Sequence, residues 1–184
     1  ADQDGFTLAG YLDHFEVNEA AVKALSMSED VFGLAEDQRR LLEQVSPRLR
    51  LGHVQWHFAP ARVRESFTVL ADFGNLELSL AGAVPGLSGL KGLLQFGFGA
   101  GYLDFDAMNA QIQFGSLYDF PWSLDAIRGR IAYRSAEDGF ALTSGKLVAR
   151  VDGLVAEGKL HMNLAQDRRL RTWGLVLGAK DFEL

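Results

Sequence analysis

From Arg48 onward, apolar side chains recur at every second residue for most of the chain, a period that fits β-strands with one buried face. Val54, Trp56 and Phe58 alternate with Gln55 and His57, and Val63, Phe67, Val69, Ala71 and Phe73 with Arg62, Arg64, Ser66, Thr68 and Asp72. Leu76, Leu78 and Leu80 come next, then Leu90, Leu94, Phe96 and Phe98 after a Val-Pro-Gly-Leu turn. Leu103 and Phe105 alternate with Asp104 and Asp106, and Met108, Ala110, Ile112 and Phe114 with Asn109, Gln111 and Gln113. Ile131 and Tyr133, Phe140 and Leu142, and Leu160, Met162 and Leu164 complete the series. One apolar and one wet face is the mark of antiparallel pairing. Gly92, Gly101, Gly129, Gly139, Gly145, Gly153 and Gly158 each open a short segment of this kind. The pattern predicts a meander of about ten strands, roughly six to nine residues each, joined by short turns. Such a sheet either closes on itself or leaves its apolar face open as a groove.

The first 47 residues are mixed. Phe6–Leu8 and Tyr11–Val17 read as short strands, and Asn18 as the N-cap of a helix over Glu19–Met27. A second helix is expected from Ala35 to Val45, with Leu34, Leu41, Leu42 and Val45 on one stripe and Pro47 as its stop. Its polar face is mixed in sign, which suits a lid over one end of the sheet better than a membrane-surface helix. The 184 residues suffice for a single domain, with 1–47 as lid or junction and 48–184 as the sheet, its apolar floor starting near Val54.

Charge and composition narrow the function classes. The net charge is −6 and the only dense basic cluster is Gln166–Arg171, so nucleic acid is not the expected partner. Absence of cysteine removes disulfides, thiol catalysis and cysteine metal sites, and suits the cytosol or a bacterial periplasm. The apolar share is 48%, yet the least charged stretch, Leu78–Phe105, is broken by Pro85, several glycines, Lys91 and Asp104, so no membrane helix is expected there. The opening Ala-Asp-Gln-Asp-Gly is no signal peptide; either one has been removed or the chain is cut from a longer protein.

No motif points to catalysis. Gly97-Phe98-Gly99-Ala100-Gly101 has the look of a nucleotide loop, but an alternating strand follows where a phosphate-binding helix is needed, so a hairpin turn is expected. His53 and His57 have a helical metal spacing inside a period-two segment and read as polar-face histidines. Asp104 and Asp106 share a strand face, about 7 Å apart, a separation a carboxylate-pair hydrolase can use. They lie opposite Leu103 and Phe105, where a solvated charge is the default. No serine sits in a nucleophile elbow. The chain reads as a non-enzyme with no cofactor and no metal. The apolar face has two readings, an ordinary sandwich core or an open groove.

A family resemblance favours the groove. The segments Val-Ser-Pro-Arg-Leu-Arg-Leu-Gly (45–52), Ala-Asp-Phe-Gly-Asn-Leu (71–76), Pro-Gly-Leu-Ser-Gly-Leu-Lys-Gly (85–92) and Gly-Tyr-Leu-Asp-Phe (101–105) resemble the AsmA-like bacterial envelope proteins, in particular their YhdP-type branch. Phe-Pro-Trp-Ser-Leu-Asp-Ala-Ile-Arg-Gly-Arg-Ile-Ala-Tyr (120–133) and Gly-Lys-Leu-His-Met-Asn-Leu (158–164) continue the likeness, which spans about three quarters of the chain. The Pro-Gly-Leu-Ser-Gly-Leu turn and the Phe-Pro … Leu-x-x-Ile-x-Gly segment are its most specific parts. The resemblance implies a bridge-like lipid transfer protein: a β half-pipe with an apolar floor, held in the inner membrane by an N-terminal helix and crossing the periplasm. It implies phospholipid acyl chains as ligand and transport towards the outer membrane. This chain lacks the anchor and most of the length, so it would be an internal segment, its end strands free to pair with neighbouring segments.

The floor residues expected on this reading are Phe67, Val69, Leu78, Leu80, Leu94, Phe96, Leu103, Phe105, Ile112, Phe114, Ile131, Tyr133, Leu142, Leu160 and Met162, with Asp104, Asp106 and Arg130 outside. The rival is a structural or assembly module of the envelope that packs its own core and carries no lipid. A hydrolase using Asp104 and Asp106 is the third reading.

Overall fold

The computed structural model describes residues 6–27, 40, 43–81, 85–114, 120–136, 139–165 and 170–180. The chain is mainly β, one antiparallel sheet whose short helices, among the described residues, all precede Phe67. In chain order the elements are β1 (Leu8–Val17), α1 (Glu19–Met27), β2 (Arg48–Phe58), a 3-10 turn (Pro60–Arg62) running into α2 (Val63–Ser66), β3 (Thr68–Leu78), β4 (Gly86–Gly97) and β5 (Ala100–Gln113). Then come β6 (Trp122–Ala136), β7 (Gly139–Ser144), β8 (Leu147–Val151), β9 (Leu154–Ala165) and β10 (Leu170–Lys180). Neighbours in sequence are neighbours in the sheet, except that β7 and β8 share one lane between β6 and β9. Gly145 and Lys146 break that lane, and the Gly145 N–H donates to the Arg130 carbonyl across the gap.

Local chemistry accounts for the turns. Asn18 caps α1, its Oδ1 accepting from the Ala21 N–H at 3.1 Å. The expected helix over 35–45 lies for the most part outside the described residues; Arg40 and residues 43–45 are helical. Val63 is not in a strand as the alternation predicts. Pro60 opens a helical turn, and the Ser66 hydroxyl closes it by donating to the Arg62 carbonyl while accepting from the Ala59 N–H. The expected hairpin at 97–101 is present, with β4 and β5 joined through Phe98 and Gly99. Asp152 and Gly153, both with positive φ, turn β8 into β9, the geometry that suits a tight hairpin.

The expected strand length and glycine placement need correction. Seven of the ten strands run to 11 or more residues, β1 has 10, and β5 and β6 reach 14 and 15. Gly92, Gly101, Gly129 and Gly158 lie within strands rather than opening them. The two segments expected before α1 are a single strand, β1, which is the first lane of the sheet.

The sheet is bent by a repeated break in the alternation. In seven lanes two successive residues point to the outer face before the inward rhythm resumes, at 13–14, 52–53, 74–75, 88–89, 108–109, 125–126 and 145–146. His53 (φ 43°), Asn75 (50°), Gly89 (79°) and Asn109 (57°) adopt left-handed backbone at these steps. The ladder shifts register beside several of them, as β-bulges do, and bulges bend the strand. The steps line up obliquely into a seam. The step also corrects one face assignment: Met108 is 60% exposed on the outer face, while Ala107 and Ala110 point inward and are buried.

The residues flanking the seam on the inner face are the core. Leu51, Val54, Phe73, Leu76, Leu90, Ala107, Ala110 and Leu124 are between 0 and 8% exposed. A flat single-layered sheet leaves its face open to water; only a sheet folded along the seam brings these side chains together.

Candidate functional site: the apolar inner face

The inner face is apolar in every lane from β1 to β9. Cross-strand partners share a face, so the register assigns it lane by lane. Leu12 stands opposite Val54, Leu51 opposite Phe73, Ala71 opposite Leu94, Leu94 opposite Leu103, Leu103 opposite Ile131, Tyr133 opposite Leu142 and Leu142 opposite Met162. Among the described residues no Asp, Glu, Lys or Arg occupies an inward position in these lanes; serine, tyrosine and tryptophan supply the side-chain polar atoms. In β10 the register sets Trp173 and Leu175 opposite Met162 and Leu160.

Exposure on this face is graded. Phe67, Val69, Leu78, Leu94, Phe96, Leu103, Ile112, Ile131, Tyr133, Leu142, Leu160 and Met162 are half-buried, so most of the expected floor has surface to offer a ligand. Phe105 does not; at 5% exposed it belongs to the packed seam, because Gly92 and Gly129 beside it let the neighbouring lanes close in. Leu80 and Phe114 are exposed at the far strand ends. Leu80 lines a hollow of about 450 Å³ with Gln113 and Pro121, and Phe114 meets Trp122 edge to face at 5.6 Å.

At the opposite ends of the strands the inner face carries a rail of aromatic rings. Trp56 stacks on Phe58 (5.7 Å), Phe58 meets Phe67 (6.4 Å), and Phe67 meets both Phe96 (6.3 Å) and Phe98 (5.4 Å). Phe96 then reaches Tyr133 at 6.1 Å, so the rail crosses β2 to β6 without a gap. The Tyr133 hydroxyl donates to the Gly97 carbonyl at 2.5 Å. Burial pushes its pKa up, partly offset by the Gly97 N–H, which donates to the Tyr133 oxygen at 3.2 Å, so it stays a neutral donor. Trp56, Phe58 and Phe98 are not among the expected floor residues. Their alternation put them on the right face, but only the cross-lane register joins them to Phe67, Phe96 and Tyr133.

The outer face carries the charge. Glu16 pairs with Arg50 at 3.4 Å, His53 with Asp72, Asp104 with Arg130 and Lys146 with Glu157, each of these three at 2.5 Å. Asp104, Asp106 and Arg130 are outside, as expected, and the Arg130 guanidinium also lies over the Tyr102 ring at 4.4 Å. A hollow of about 810 Å³ on this face is lined by Asp72, Asp104 and Asp106 and by Lys91, Arg128 and Lys146. Its charges balance, and Asp104 is paired with Arg130. His53 bonds Asp72 rather than His57, and no cluster of three potential metal ligands occurs among the described residues.

No helix among the described residues is long and apolar enough to cross a membrane. No protein-family model, curated protein or solved structure matches the chain.

Proposed function

We propose that this sheet is a segment of a periplasmic, AsmA-like bridge for lipids, binding phospholipid acyl chains on its inner face for transport between inner and outer membrane. The observation that supports it is a face nine lanes wide, counting β10, with no charged residue inward from β1 to β9 and a half-buried surface along most of its rows. Each acyl methylene withdrawn from water is worth about 0.8 kcal/mol, so a chain moved from bilayer to groove exchanges one apolar medium for another at little cost. The lack of a strong polar anchor suits sliding. The full-length protein would supply the inner-membrane anchor, and the free edges β1 and β10 would pair with neighbouring segments.

The packed seam favours a second reading, an envelope scaffold whose inner face serves only as its own core. Organic extraction of the purified protein and mass spectrometry of the extract separate the two. The groove reading expects co-purified phospholipid, and its loss from Phe96→Asp and Ile112→Asp variants that still fold. A lipid-free wild-type protein leaves the scaffold.

A further inference from the structure

We propose that the aromatic rail seats the acyl-ester region of a diacyl glycerolipid, with the Trp56 indole N–H donating to an ester carbonyl oxygen. The inference rests on the groove reading and adds where along the strands the chains begin. Trp56 is half-buried and fixed in place: its ring lies over Gly10 of β1, where any Cβ would collide with the indole. A half-buried indole N–H ordinarily has an acceptor, yet Trp56 makes no hydrogen bond to any described residue. Tyr133, at the other end of the rail, has spent its hydroxyl on Gly97. Among the described residues, therefore, the rail presents one donor without an acceptor, on a face without charge, which matches a neutral carbonyl better than a carboxylate or an ammonium.

Position supports the same orientation. The rail sits where β2 and β4 end and β3 begins, next to the turns at Phe67 and Phe98. Below it lie the aliphatic Val69, Leu94, Leu103 and Ile131, and below those the packed seam. Aromatic rings with a polar tip, placed between apolar and wet zones, are the chemistry of a bilayer interface. About 13 Å of β6 separates Tyr133 from Gly129, which stands opposite the packed Phe105, at ~3.3 Å per residue. Acyl chains occupy ~15 Å in half of a ~30 Å hydrocarbon core, so chains held at the rail run down to the seam.

The chain contains three tryptophans, and a Trp122→Phe, Trp173→Phe protein keeps Trp56 as its sole tryptophan, read by selective excitation beyond the tyrosine absorption band. It is loaded with phosphatidylcholine bearing a spin label either next to the ester or next to the terminal methyl of one chain. The ester-proximal label is expected to quench more strongly than the terminal one. Equal or stronger quenching by the terminal label overturns the rail orientation while leaving the groove intact. No quenching by either label, with no lipid in the extract, removes the groove itself. The second arm is Trp56→Phe, which keeps a ring and drops the N–H. Its affinity for a diester phosphatidylcholine should fall about three- to tenfold, the worth of one hydrogen bond, with no change for the diether analogue. Equal losses for the two lipids overturn the hydrogen bond and leave Trp56 a packing residue.

Discussion

The seam and the rail are built from the same kind of residue on the same face, and they do opposite work. Phe73 and Phe105, beside the seam, are buried by the fold of the sheet itself. Phe67, Phe96 and Phe98, a few residues further along the same strands or in the adjoining turns, touch one another yet stay half-exposed. Distance from the bend decides which apolar side chains hold the sheet together and which remain available to a ligand. Period-two hydrophobicity cannot tell the two apart; curvature does.

The comparison breaks if the two regions cost the same to damage. Phe73→Ala should lower unfolding free energy by about 3–5 kcal/mol, the usual loss for a buried phenylalanine. Phe96→Ala, already half-exposed, should cost about half of that while removing most of the bound lipid. Urea denaturation of both variants beside lipid extraction gives the two rankings, which are expected to run in opposite order. Equal destabilisation by the two would mean that the rail is core as well.

Next in size is the seam's backbone. Gly89 has φ +79°, and a Cβ there would stand 3.3 Å from the Asn109 carbonyl oxygen and 3.4 Å from the Ala110 Cα. Gly89→Val combines left-handed strain with that crowding and should cost about 1–3 kcal/mol. Gly89→Asn should cost less, since asparagine tolerates left-handed backbone. A smaller loss for valine than for asparagine, read from urea midpoints, would remove the bulge geometry from the account of the bend.

The sequence makes the sheet, its antiparallel sense and α1 legible because each rests on local chemistry: alternation, and an Asn18 side chain three residues from the N–H it caps. The seam is harder to read. Its trace is a three-residue gap between inward positions, Leu51 to Val54 and Phe73 to Leu76, spanned by Gly-His and Gly-Asn. At Ala107–Ala110 the gap is masked, because Met108 fits a false alternation with Ala110 and Ile112. The assignment of Phe105 to an open floor fails for a related reason: its burial depends on how sharply distant lanes fold together. The rail joins residues 56 to 133 through a register set by the bulges, and no sequence window contains it.

The smallest expected effect lies on the outer face of the seam, at His53 and Asp72. The hydrogen bond that the His53 ring donates to the Asp72 carboxylate, and then the charge of Asp72, raise the His53 pKa above the ordinary 6.5. Protonation is therefore favoured in the folded state, and the sign of the linkage follows. The stabilisation is complete below about pH 6.5, where the unfolded histidine is also protonated, and is lost as pH rises through the higher folded value. Both side chains are more than half exposed, so the interaction is screened and the loss small. An NMR titration should show the His53 ring titrating above 6.5, and Asp72→Asn should bring it back down. In urea, His53→Gln should flatten the decline in stability of the wild-type protein across that interval. If the decline persists unchanged in His53→Gln, the pair contributes nothing to the bend, and the left-handed backbone at His53 is held by the strands on either side of it alone.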